Sequence, residues 1–140
     1  MAVCSEDRRS EKGFSLIELI VVLVILGLLA AVVGPKVYDK LAKGKDQIAK
    51  IQIKELEGAI QLFAFDLGRN PDANEGLEAL VRNPSGSDSW KGPYLAKALP
   101  ADPWGRPYIY RYPGQHGDYD LYSAGADATE GNEDDICSWK

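Results

Sequence analysis

Three places in this 140-residue sequence carry side chains that could do chemistry. Glu18 stands at the head of a run, Leu19 to Val33, that is otherwise apolar apart from Gly27. A carboxylate so close to an apolar run is costly to bury and needs a partner. The acidic end, Asp127-Ala128-Thr129-Glu130-Gly131-Asn132-Glu133-Asp134-Asp135, groups carboxylates with a glycine that lets the backbone bend. Such a group suits a hard cation with oxygen ligands, calcium before magnesium because the geometry is loose. It lacks the EF-hand spacing, and from composition alone a solvated acidic tail is the plainer reading. The third place is a scatter of single groups. His116 is the only histidine and cannot build a multi-His zinc site. Ser123-Ala124-Gly125 lacks the G-x-S-x-G pattern and a base. Cys137 has no basic neighbour to activate it. No catalytic constellation emerges, and the chain is not expected to be an enzyme.

The elements that hold these groups follow from periodicity. From Phe14 to Val33, at about 1.5 Å per residue, a helix covers roughly the 30 Å of a bilayer core. A buried core helix is the competing reading, but nothing else in the chain is apolar enough to surround it. A signal peptide would need a small-residue cleavage site after the run, and Val33-Gly34-Pro35-Lys36 fits poorly. Pro35 predicts a kink or local melting. Beyond it, Val37, Leu41, Ile48, Ile51, Leu56, Ala59, Ile60, Phe63 and Leu67 recur at helical steps, with polar side chains opposite. One amphipathic helix to about Leu67, closed by Gly68, is expected. With the apolar part it makes a rod of roughly 80 Å. The stripe from Leu56 to Leu67 should pack on the C-terminal domain, and that from Val37 to Ile51 should face neighbouring helices.

After a turn at Arg69-Asn70-Pro71-Asp72, Asn74 is expected to cap a short helix, Glu75 to Val81. Pro93-Tyr94-Leu95 reads as a small extended piece. The proline-rich Leu99 to Gly105 should be irregular. Tyr108 to Tyr112 and Tyr119 to Ser123 read as two strands joined by Pro113-Gly114-Gln115-His116-Gly117. The fold class is therefore α+β: a long N-terminal helix, a short helix and a small antiparallel sheet.

The net charge is -5, which gives a nucleic-acid role no electrostatic support. Residues 1 to 13 are neutral, because Arg8, Arg9 and Lys12 balance Glu6, Asp7 and Glu11. The two cysteines are Cys4 and Cys137. Lys36, Lys40, Lys43, Lys45 and Lys50 follow the apolar run, and a simple positive-inside count would put the C-terminus in the cytoplasm.

Lys12-Gly13-Phe14-Ser15-Leu16-Ile17-Glu18, the apolar run and Gly34-Pro35 resemble the N-terminus of type IV pilins and type II secretion pseudopilins. The resemblance implies cleavage between Gly13 and Phe14 by a prepilin peptidase, methylation of the new Phe14 amine, and Glu18 as the assembly carboxylate. Cleavage would create an α-ammonium, with a reference pKa near 8, that a neighbouring subunit can offer to Glu18. It also places Gly13 on the cytoplasmic side, against the lysine count, and leaves Cys137 without Cys4 as a partner. Glu75-Gly76-Leu77-Glu78-Ala79-Leu80, Leu99 to Gly105, Gly114 to Asp120 and Ser123 to Asp127 are similar to blocks of the major pseudopilin of type II secretion.

That family implies a type IV pilin-like fold with residues 1–13 a cleaved leader, 14–34 a transmembrane assembly helix and 35–140 a periplasmic domain. It implies one calcium in the C-terminal loop, in place of the pilin disulfide. The side-chain ligands carried over are Asp127, Asp134 and Asp135, with backbone carbonyls near Ala124 and Asn132. The implied role is a subunit of a short helical homopolymer at the inner membrane that drives export of folded proteins across the outer membrane. Its partners would be its own copies, minor pseudopilins, the inner-membrane assembly platform, the prepilin peptidase and methyltransferase, and inner-membrane lipid. A surface type IV pilin and a membrane-tethered calcium-dependent binding module are the rival expectations.

Overall fold

The computed structural model describes residues 13–140, so Cys4 and the leader up to Lys12 lie outside the described residues. Helix α1 runs Leu16–Leu67. It starts two residues after the expected Phe14, because Ser15 takes the capping position in front of it. It ends as expected. Gly68 adopts φ +71° and donates its amide to the Ala64 carbonyl at 2.8 Å, a left-handed stop that glycine enters without strain. The local melting expected at Pro35 does not occur: the helix continues through it.

The described residues divide into two compact units, one up to Lys40 and one from Leu41 to Lys140. In the first, every described residue is exposed, including Leu19 to Val33. The helix passes the length and composition test for a membrane span, and none of its most apolar window is buried in protein. An apolar face exposed all round, and not merely along a stripe, calls for lipid or other helices around it.

In the second unit α1 buries one face. Ala49, Ile53, Leu56, Ile60 and Phe63 recur at alternating steps of four and three and are buried. They pack with Leu77, Ala79, Leu80, Tyr108 and Leu121 into one core. Val37, Leu41, Ile48 and Ile51 stay half exposed or more, so the stripe does divide where the sequence suggested. Tyrosines lock the core's rim: Tyr94 donates its hydroxyl to Asp66 at 2.8 Å, and Tyr110 donates to the Pro71 carbonyl at 2.8 Å. Burial pushes both phenols up, so they stay protonated donors at neutral pH.

Two local expectations need correction. The short helix is a 3-10 helix, Gly76–Leu80, and Asn74 does not cap it. Asp72 Oδ1 accepts the amides of Asn74 and Glu75, each at 2.8 Å, while Glu75 Oε2 accepts the Asp72 amide at 3.0 Å. This reciprocal pair is a capping box, and it satisfies more donors than a lone asparagine could. Arg69 anchors Glu75 at 2.6 Å and holds its carboxyl below the usual range. Pro93-Tyr94-Leu95 forms no strand; Tyr94 donates its amide to the Leu80 carbonyl instead.

The sheet has three antiparallel strands in the order β1 (Ile109–Arg111), β2 (Asp120–Ser123), β3 (Ile136–Cys137). The expected hairpin is present but shorter, with Ile109 opposite Tyr122 and Arg111 opposite Asp120. The third strand was not foreseen. It pairs Cys137 with Tyr122 and Ser123 with Ile136, and so brings the end of the acidic run back onto the sheet.

Candidate functional site

At the head of α1, Phe14 is 92% exposed. Starting at the next residue, the sequence Ser15-Leu16-Ile17-Glu18 closes a second capping box. The Ser15 amide donates to Glu18 Oε2 at 2.9 Å, and the Glu18 amide donates to Ser15 Oγ at 3.3 Å. The S-x-x-E spacing is a readable signal for this arrangement, and it supplies within the chain a partner of the kind Glu18 is expected to need. The Glu18 carboxylate also sits where the helix dipole favours negative charge.

The C-terminal loop is built on β2. Ser123, fully buried, donates its hydroxyl to Asp102 Oδ2 at 2.6 Å. Asp102 is buried as well, and its Oδ1 accepts the amides of Trp104 at 3.1 Å and Arg106 at 2.8 Å. This knots the proline-rich turn to the sheet. Arg106 then donates to the Gly125 carbonyl at the start of the loop. Gly125 has φ +66°, and a Cβ there would collide with the Asp134 carbonyl. The two ends of the loop are thus pinched together at a position only glycine allows.

Inside the pinch the expected ligand residues are placed as follows. Asp127 is exposed; its Oδ1 accepts the Thr129 amide at 2.9 Å and its Oδ2 accepts the Asn132 side-chain amide at 2.7 Å. Asn132 Oδ1 accepts the Asp134 amide at 2.9 Å, and its carbonyl accepts the Asp135 amide at 3.5 Å. Asp135 is buried; Oδ2 accepts the Gly131 amide at 2.7 Å, but Oδ1 has no hydrogen-bond partner. Ala124 is buried and Asp134 exposed. Among the described residues no three acidic, histidine or cysteine side chains are grouped tightly enough to hold a metal. Hydrogen bonds link Asp127 to Asn132 and Asn132 to Asp135 in an open chain, without assembling the carboxylates on a common point.

The single groups have structural partners. His116 stacks on Trp139 at 4.1 Å and 4°, with Nδ1 3.1 Å from Asp120 Oδ2. Burial alone would raise the Asp120 carboxyl, but the amides of Gln115 and His116 and the His116 ring outweigh it and hold it below the usual range. Burial pushes the Cys137 thiol up, away from reactivity.

A long helix with a capped glutamate behind Gly13-Phe14, followed by a small antiparallel sheet, defines a class: precursors of the type IV pilin-like kind. The comparisons refine it. Residues 8–34 match the prokaryotic N-terminal methylation motif, and residues 36–139 match the model of type II secretion system protein G. The type II secretion system core protein G of Pseudomonas aeruginosa is 45% identical over 139 residues, spanning 95% of this chain and 98% of that one. That of Escherichia coli K12 is 43% identical over 133 residues, 92% and 91% of the two chains. The crystal structure of the major pseudopilin from the type 2 secretion system of enterohaemorrhagic E. coli superposes with a TM-score of 0.63 at 33% identity. It covers 72% of this chain and 87% of that one. The chain belongs to the type II secretion system protein G family.

Proposed function

We propose that this chain is a structural subunit of the type II secretion pseudopilus and not an enzyme. The observation that carries this reading is the head of α1: a capped carboxylate in front of an apolar helix whose every face is exposed. Such a helix is finished only by lipid or by copies of itself. Cleavage between Gly13 and Phe14, followed by methylation, leaves an ammonium at Phe14. The Phe14 ammonium of one copy pairs with Glu18 of the next, and the head-to-tail contact, repeated without closing, gives a helical filament. The filament grows from the inner membrane with the C-terminal unit in the periplasm, and it drives folded proteins across the outer membrane. Minor pseudopilins and an inner-membrane platform are its expected partners. Intact mass of the mature protein tests the processing: a chain beginning at Phe14 and carrying one methyl supports it, and a chain beginning at Met1 refutes it. Glu18→Ala should insert into the membrane yet form no filaments. A reporter fused at Lys140 reads the orientation against the lysine count.

The same reading includes calcium at the C-terminal loop. What supports it is Asp135 Oδ1, a buried carboxylate oxygen with no hydrogen-bond partner, in a loop of five acids. An unsatisfied buried acceptor is destabilising, and a hard cation is the group that such oxygens suit. Asp127, Asp134 and Asp135 would hold the ion, with the carbonyls of Ala124 and Asn132. When bound, calcium supplies positive charge that joins the loop's two ends. Chelation with EDTA should lower the melting temperature by several degrees and added calcium should restore it. A melting temperature indifferent to both refutes the site.

A further inference from the structure

Glu130 lies in the middle of the acidic loop, yet it points its charge away from the other acids and into the sheet. Its Oε2 accepts from the Arg111 guanidinium of β1 at 2.6 Å and from the Tyr122 hydroxyl of β2 at 2.6 Å. One carboxylate oxygen therefore bridges two strands across the base of the loop. The Arg111 guanidinium lies 5.8 Å from the Tyr122 ring centroid, and Trp139 meets that ring edge-on at 5.7 Å. Tyr122 is buried, so without Glu130 its hydroxyl would lose its acceptor. An exposed Arg–Glu pair alone contributes little, and here both side chains are about half exposed. The shared buried hydroxyl turns that pair into a three-membered network.

Charge sorting adds a second argument. Among the described residues, Glu130 is the one of the five loop acids that has a cationic side chain against it. Asp127 and Asp135 are bonded within the loop instead, to the Asn132 side chain and the Gly131 amide. We propose that Glu130 is a positioning residue: with Arg111 and Tyr122 it clamps the acidic loop to the sheet without any metal, and so presets the loop for a divalent cation. The affinity half of this proposal rests on the calcium reading above; the clamp itself does not.

The test uses the full-length chain in detergent micelles. Calorimetric titration with calcium chloride should show Glu130→Gln and Arg111→Gln each weakening the dissociation constant about tenfold, the lower end of what a lost outer-shell partner costs. Arg111→Lys, which keeps the charge, should recover part of that loss. If Glu130 were itself a ligand, Arg111→Gln would free it and leave binding unchanged or tighter; that outcome overturns the proposal. So does failure of the lysine variant to recover anything. Hydrogen exchange in EDTA separates the two readings. Amides 127–134 should exchange faster in Glu130→Gln than in the unsubstituted protein. Equal rates overturn the clamp whether or not calcium binds, and a chain that binds no calcium but shows the faster exchange keeps the clamp and loses the site.

Discussion

Glu18 and Asp135 are both acids in costly places, and they are served in opposite ways. Glu18 finds its partner three residues back, in the Ser15 amide, at the surface of an apolar helix. Asp135 is buried at the edge of a sheet, with one oxygen on the Gly131 amide and the other on nothing. The head of α1 is complete as a folded unit and lacks only neighbours. Among the described residues the loop keeps one buried acceptor unmatched. The contrast separates a carboxylate satisfied within its own turn from one that is not, which a bare count of carboxylates would merge.

The sharpest way to break this contrast lies under the loop. Asp102→Ala removes the acceptor for the Ser123 hydroxyl and for the Trp104 and Arg106 amides. Stranding buried donors should cost about 3 kcal/mol in a denaturant titration, since each such group costs roughly 1–3 kcal/mol. A loss much below that would mean the base of the loop is not held by protein contacts. Asp135→Asn comes next. It should lower the melting temperature in calcium, by a few degrees, yet leave it unchanged or raised in EDTA, because the substitution removes an unpaired buried charge. The same sign in both buffers would refute the claim that this carboxylate awaits a cation.

Acid gives a further handle. The Asp120 carboxyl is held below its ordinary value, so the folded state binds its proton less readily than the unfolded chain. Its contribution to stability is fully present above about pH 4, the unfolded value, and is lost as the pH falls through the lower folded value. Asp120→Asn should lower stability at pH 7, change it little in strong acid, and so flatten the acid limb of a stability–pH profile. The smallest expected effect is Ser15→Ala. Loss of the cap should cost about 1 kcal/mol of local helix stability, read as faster amide exchange over the first turn. The C-terminal unit's unfolding should not move. If it does, the cap at the head of α1 is energetically coupled to the core of the C-terminal unit.

Much of this was legible in the residues. Gly68 after an amphipathic run marks the end of α1, because glycine is the residue that enters the left-handed stop freely. The two tyrosine-rich runs around Pro113 to Gly117 mark the hairpin. What escaped was set by competition or by distance. At Asp72, Asn74 and Glu75 several residues can cap, and the reciprocal pair wins over the single one. Strand β3 is two residues long and owes its extended form to pairing with Tyr122 and Ser123, so no local pattern announces it. The Ser15–Glu18 box is readable from its S-x-x-E spacing alone. The hydrogen bonds inside the loop, and the orphaned oxygen on Asp135, depend on how the loop folds back on itself; an acidic composition cannot forecast them.

The pinch at Gly125 has a consequence for how such a chain can change over time. Because no larger residue fits against Asp134 there, the neck of the loop is fixed, while the largely exposed tip beyond it is tied back to the sheet through Glu130. Positions of the tip that make no such contact, Ala126 and Glu133 among them, can vary without disturbing the sheet below it. The bare backbone at the throat is the part that substitution cannot touch.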